Sequence, residues 1–209
     1  MLLDTIAPML LDERPLDLAQ PGWLFEIKID GWRVLAEFGD GACRLKTKSG
    51  ADATKWFPEI SRSLATVPGG PHVVDGEMAV LDELGRADFD RMQTRGLRRR
   101  MYEGADLVTY CLFDLLVRAG VSIMDQPLIK RKAALARLLK VPPPRVLLVS
   151  HFDPEDNIRR IFDEAVIPLK LEGLVAKRVD SVYQPGVRTT DWVKVKRKGA
   201  IPPGRFRRG

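Results

Sequence analysis

Trp23-Leu24-Phe25-Glu26-Ile27-Lys28-Ile29-Asp30-Gly31-Trp32 is the stretch from which the rest of the chain can be read. Successive side chains of a strand point to opposite faces. An extended chain here therefore puts Trp23, Phe25, Ile27 and Ile29 on one side and Leu24, Glu26, Lys28 and Asp30 on the other. Asp30-Gly31 is a turn pair, after which a second apolar run covers Trp32–Phe38. Gly39-Asp40-Gly41 then turns the chain into a third strand at 42–47. The spacing predicts a meander of antiparallel strands over 23–47.

Outward from this segment, residues 1–22 carry little regular pattern. Residues 52–66 read as a helix with Asp52 as N-cap and Phe57, Ile60 and Leu64 on one side, Pro58 lying within it. Strands are expected at 72–74 and 77–81, separated by Asp75-Gly76, and at 109–116, 145–150, 173–177 and 192–196. Residues 125–140 read as a helix with Leu128, Ala134 or Leu135, and Leu138 at helical spacing, stopped by Pro142-Pro143-Pro144, and 156–167 read as another. Helices intermixed with hairpins make the class α+β with antiparallel sheets.

With 209 residues, the chain has room for one large domain. Its 45% hydrophobic and 30% charged content excludes disorder, and no apolar run approaches membrane-spanning length. No secretory leader is visible, and Cys43, Cys111, His72 and His151 do not have zinc-ligand spacing. Two buried or reduced cysteines in a cytoplasmic protein are the expectation. The net charge of +6 permits a polyanionic partner. Lys194, Lys196, Arg197, Lys198, Arg205, Arg207 and Arg208 follow the last acid, Asp191, and Arg91, Arg95, Arg98, Arg99 and Arg100 form a second cluster. Each cluster reads either as a solvated surface or as a phosphate-binding one.

Lys28 between Glu26 and Asp30 has two readings, an ion-pair ladder or a positioned amine. A nucleophilic lysine needs its neutral form, hence nearby cations or desolvation. Asp191-Trp192-Val193-Lys194-Val195-Lys196 offers such cations, with both lysines on one face; the same pattern also suits an edge strand guarded by lysines. Asp75-Gly76-Glu77 and Glu172-Gly173 set carboxylates beside strands, where they serve as turn acids or as acceptors for ribose hydroxyls and hydrated Mg²⁺.

Taken in order, these segments resemble the motifs of the covalent nucleotidyltransferases: DNA ligases, RNA ligases and mRNA capping enzymes. Lys28-Ile29-Asp30-Gly31 looks like the nucleophile motif, with Arg33 after it, and Asp75-Gly76-Glu77 like the third motif. Phe113-Asp114 resembles the adenine-stacking element, Glu172-Gly173 with Lys177 the fourth motif, and Lys194-x-Lys196 the fifth. Thr54-x-x-Phe57-Pro58-Glu59, Phe113-Asp114-Leu115-Leu116 and Tyr183-x-Pro185-Gly186-x-Arg188 are closest to ATP-dependent DNA ligases of the bacterial end-joining type. The resemblance implies an ATP-grasp-like fold, with antiparallel sheets flanked by helices and the active site between them, over residues 1–198. Residues 199–209 would be a basic tail or the start of a linker, and the family's C-terminal OB domain is expected to be absent.

What the resemblance implies for function is specific. Lys28 would be adenylylated by ATP, with Asp30, Arg33, Lys194 and Lys196 as the other catalytic residues. Glu26, Ile29, Arg33, Glu77, Phe113, Lys177, Arg188, Lys194 and Lys196 would surround ATP or AMP, and Glu77 and Glu172 would hold Mg²⁺ or Mn²⁺. Lys48, Arg95, Arg197 and Lys198 would contact nicked or broken DNA. Lys48-Ser49-Gly50 stands where such ligases carry Arg-Asn-Gly, which loses the bidentate guanidinium fork. A monomer in the bacterial cytoplasm, working with a separate OB domain or end-joining proteins, is expected to seal nicks poorly alone. An RNA-ligase-like enzyme and a non-catalytic nucleotide-binding module remain open at this point.

Overall fold

At Asp30-Gly31 the chain does not fold back on itself; it changes sheets. A computed structural model describes residues 2–200, so Arg205, Arg207 and Arg208 of the expected basic tail lie outside the described residues. The elements in chain order are α1 (Leu2–Thr5), β1 (Leu10–Asp12), β2 (Trp23–Ile27), β3 (Trp32–Gly39), β4 (Ala42–Thr47), α2 (Pro58–Ala65), β5 (His72–Ala79), α3 (Phe89–Leu97) and β6 (Thr109–Arg118). They continue with β7 (Val121–Ser122), α4 (Leu128–Leu138), β8 (Val146–Leu148), β9 (His151–Phe152), α5 (Ile158–Ile161), β10 (Gly173–Arg178) and β11 (Arg188–Lys196).

One five-stranded sheet has the order β1-β11-β10-β2-β9; a second, six-stranded, runs β4-β3-β5-β6-β7 with β8 beside β6. Pairings are antiparallel except β1 on β11 and β8 on β6. The expected meander over 23–47 is therefore corrected. β3 and β4 form a hairpin, whereas β2 pairs with β10 and β9 in the other sheet.

The two sheets pack face to face, and strand periodicity decides which residues meet there. Leu24 and Trp192 of the first sheet join Leu35, Val73, Cys111 and Phe113 of the second in one buried cluster between the sheets. Neighbours of opposite parity point away from it. Val34, Ala36, Val74, Tyr110 and Leu112 pack under Phe57, Ile60 and Leu64 around α2, Met92 of α3 and Leu135 of α4. Trp23, Phe25, Leu174, Ala176 and Val193 pack under Ile158 and Val166. The result is helix, sheet, sheet, helix, with the sheets as the inner layers. No helix among the described residues is long and apolar enough to cross a membrane.

Other boundaries moved for local reasons. The helix expected over 52–66 starts at Pro58, where a proline costs no hydrogen bond. Asp52 instead accepts from the Thr54 amide at 2.9 Å. Asp75-Gly76 is no break: β5 runs through it, because a β-carbon at Gly76 would sit 2.6 Å from the Tyr110 ring and glycine lets β6 approach. The helix expected over 156–167 is the short α5 followed by a π-helical turn over Phe162–Val166. β1, α1 and α3 arise in segments that gave no strand or helix signal.

Candidate active site

Strand parity also selects the polar side chains that reach the space between the sheets. Arg33 lies in register with Leu35, Asp75 and Glu77 with Val73, Lys177 with Val175, and Lys194 and Lys196 with Trp192. Lys28 sits at the end of β2, where its amide donates to the Gly173 carbonyl at 3.0 Å. Beyond it the chain crosses to β3. At Gly31 a β-carbon would lie 2.0 Å from the Met78 carbonyl oxygen, so only glycine makes the crossing. The lysine is thereby held where both sheets contribute residues.

A cleft of about 340 Å³ is lined by Lys28, Arg33, Glu77, Glu172, Lys194 and Lys196, with Asp30, Lys48 and Arg188 on the same wall. A narrow slot of about 60 Å³, continuous with it through Leu11, Lys28, Arg33 and Glu77, is lined by Glu26, Ile29, Phe113, Val175, Lys177 and Trp192. Thus the residues expected at nucleotide and metal fall along one continuous space, with charged side chains at the wide end and aromatic rings at the narrow end.

Within it, nearly every charge is matched. The Lys28 ammonium donates to Glu172 at 2.5 Å, so Glu172, rather than Glu26, is the carboxylate on the lysine. Glu26 is buried and shared between Lys132 at 2.6 Å and Lys177 at 2.7 Å. Burial raises the Glu26 carboxyl, but the two ammoniums outweigh it and hold it below the usual range. Burial pushes Lys177 down to about 8 against the pull of Glu26, with Lys132 adding to the fall. Its ammonium lies 4.2 Å from the Phe113 ring centre and 4.1 Å from that of Trp192. Arg33 grips both oxygens of buried Asp75 at 2.6 Å, and its guanidinium covers Phe113 at 4.6 Å. Asp75 also accepts from the Tyr183 hydroxyl at 2.6 Å. Phe113 itself is 9% exposed.

Lys194 and Lys196, expected to bear on Lys28, share the carboxylate of Glu13 at 2.9 and 3.2 Å. The Lys194 contact outweighs desolvation and holds that carboxyl low. Glu77, half-buried on the cleft wall, is raised to about 7 by burial, against the attraction of Arg33 and Lys28.

Three expected DNA contacts lie elsewhere. Arg95 is fully buried, bonded to Glu59 and to the carbonyls of Asp106 and Arg100, which corrects its assignment to DNA. Arg197 donates to the carbonyls of Leu171 at 2.7 Å and Lys170 at 3.2 Å, which makes it a tie between segments. Lys198 is exposed, away from the cleft lining. Sequence reading missed Glu13 and Lys132, and quoted Tyr183 only within a motif, with no role in the site. Lys132 was findable, because it falls four residues after Leu128 on the buried side of α4. Glu13 lies in a patternless lead-in and carries no local signal.

Comparison with known proteins agrees with this geometry. The ATP dependent DNA ligase domain family matches residues 11–196. The multifunctional non-homologous end joining DNA repair protein LigD of Mycobacterium tuberculosis is 37% identical over 195 residues, which is 92% of this chain and 24% of that protein. LigD of Pseudomonas aeruginosa is 34% identical over 177 residues, 83% of this chain and 20% of that protein. The chain thus spans a quarter or less of these relatives. The SPbeta prophage-derived DNA ligase-like protein LigB of Bacillus subtilis is 30% identical over 190 residues, 91% of this chain and 67% of that protein. The ligase domain of M. tuberculosis LigD superposes with a TM-score of 0.74 at 31% identity, covering 92% of this chain and 61% of that one. A mycobacterial DNA ligase D complexed with ATP gives 0.75 at 32% identity, over 92% and 60%. The chain belongs to the ATP-dependent DNA ligase domain family, as an adenylation domain of the LigD type.

Proposed function

We propose that Lys28 attacks the α-phosphate of ATP to form a lysyl-adenylate, and that the adenylate then passes to the 5′-phosphate of nicked or broken DNA for sealing by a 3′-hydroxyl. The observation that carries this is the cleft itself: Lys28 fixed at the sheet crossing, with Lys194, Lys196 and Arg33 on the same walls. Before attack the Lys28 ammonium must lose a proton. Glu172, at 2.5 Å, is the nearest acceptor, and the open cleft lets the proton pass on to water. The N–P bond then forms as the bridging P–O bond breaks, and its electron pair leaves with pyrophosphate. Lys194 and Lys196 hold the non-bridging oxygens where charge accumulates, which is the main lever available in phosphoryl chemistry. The slot with Phe113, Ile29 and Lys177 takes the adenine end, with Glu26 fixing Lys177.

Among the described residues no group of three or more His, Cys, Asp or Glu side chains is gathered to cage a metal. Glu77 and Glu172 nevertheless line one cleft, and one or two carboxylates plus substrate phosphates is the donor set Mg²⁺ prefers. These two residues would hold Mg²⁺ or Mn²⁺, which when bound neutralises phosphate charge. Residues 1–198 act as the nucleotidyltransferase domain, in the bacterial cytoplasm, and full sealing needs an OB domain or end-joining partner to close around DNA.

The test is intact mass after incubation with ATP and Mg²⁺. Wild type gains one adenylate and Lys28→Ala gains none. Adenylate retained by Lys28→Ala, or none on wild type after removal of bound AMP, overturns the reading.

A further inference from the structure

A second concavity, about 470 Å³, opens beside the nucleophile cleft and is built differently. Its lining includes the indoles of Trp32 and Trp56, whose ring centres are 6.4 Å apart, edge to face. Arg99 lies over Trp56 at 5.1 Å, and Leu97, 62% exposed, forms the rim. Arg33 and Lys48 line both this groove and the Lys28 cleft, so the two are continuous. Folding divides the basic cluster around α3: Arg95 turns inward, Arg91 pairs with Asp106 and Arg98 lies over Tyr102, while Arg99 lines the groove. Aromatic faces, a guanidinium and a lysine together form a platform for a nucleobase with its phosphate, since base stacking on aromatic rings tolerates any sequence.

We propose that this groove receives the terminal nucleotide of a DNA end: its 5′-phosphate passes Lys48 to the adenylate on Lys28, and its base, frayed from the duplex, lies on Trp56 between Arg99 and Leu97. This rests on the nucleotidyltransferase reading above. Continuity fixes the geometry, because a nucleotide whose phosphate enters the cleft over Lys48 has its sugar and base in the next concavity. A broken end is the substrate on which unstacking costs least, since the terminal pair has a neighbour on one side only.

The experiment uses the full chain pre-charged with AMP, in wild-type form and as Arg99→Gln, Leu97→Asp and Trp56→Ala. Charging, read by intact mass, reports both folding and the nucleotidyltransferase reading, and all forms are expected to charge alike. Each is then titrated with a 5′-phosphorylated DNA end and with the same end carrying an abasic terminal nucleotide. We expect wild type to bind the intact end about tenfold more tightly than the abasic one. The variants are expected to lose that difference, so that base removal and Trp56→Ala are not additive. Transfer of AMP to the 5′-phosphate falls in parallel. Should Trp56→Ala fail to charge, the two rim variants decide. Charged wild type that fails to bind the DNA end, or that ignores the missing base, or variants that bind and transfer like wild type, overturn the groove assignment. Failure to charge at Lys28 in wild type overturns the function instead.

Discussion

Two carboxylates of the cleft make separable predictions. Glu13 occupies the ammoniums of Lys194 and Lys196, so an incoming phosphate must displace it. A half-exposed pair is worth a fraction of a kcal/mol to about one, so Glu13→Gln should lower the ATP concentration for half-maximal charging about two- to fivefold. The rate at saturating ATP should barely change, and a concentration series of charging rates reads both. Glu77 has the opposite character. Its carboxyl titrates at about 7 in the folded protein against an ordinary value of 4.5, so the native state keeps a proton that the unfolded chain releases between those values. Stability from this group is thus present at low pH and lost as pH rises to about 7. Denaturant unfolding of Glu77→Gln and wild type should therefore match at or below about pH 4. Near about pH 8 the variant should be the more stable by about 3 kcal/mol.

Among elements, α4 shows how a helix with a modest apolar stripe is anchored. Arg131, fully buried, meets both oxygens of Asp114 on β6 at 2.9 and 2.8 Å and donates to the Gln126 and Ser181 carbonyls. Removing one partner strands a buried charge. Arg131→Ala should cost about 3–5 kcal/mol, measured by denaturant unfolding. This same element shows where sequence reading stops. Its helix was legible because Leu128, Leu135 and Leu138 recur at the helical period, and β2, β3, β4, β10 and β11 were legible through alternation or turn pairs. Pairing was not, because Asp30-Gly31 has the composition of a hairpin turn and is a crossing between sheets. Nor could local pattern show that Arg95 lies under Glu59 or that Glu13 reaches two lysines on the distant β11. The cleft residues were recognisable from five separated motifs, whereas the ion pairs that hold them depend on tertiary proximity alone.

For the whole molecule, Tyr183 joins pieces far apart in sequence. Its hydroxyl donates to Asp75 and accepts from the Met9 amide at 2.9 Å, linking the lead-in, β5 and the segment before β11. Tyr183→Phe keeps the ring against Trp192, 5.8 Å away, but strands the buried Met9 amide, while Asp75 keeps both contacts to Arg33. It should cost about 1–3 kcal/mol in unfolding and speed hydrogen exchange at the Met9 amide, with that amide changing most. The parity of β11 reaches further still. Trp192, Lys194 and Lys196 face inward, and Val193 belongs to the opposite layer, only because each strand residue reverses direction. Inserting one codon just before Trp192 would leave the charge and nearly all the composition intact, yet present valines to the cleft and lysines to the hydrophobic layer. Inserting two codons would return both lysines to the correct side, so for this domain the milder lesion is the longer one.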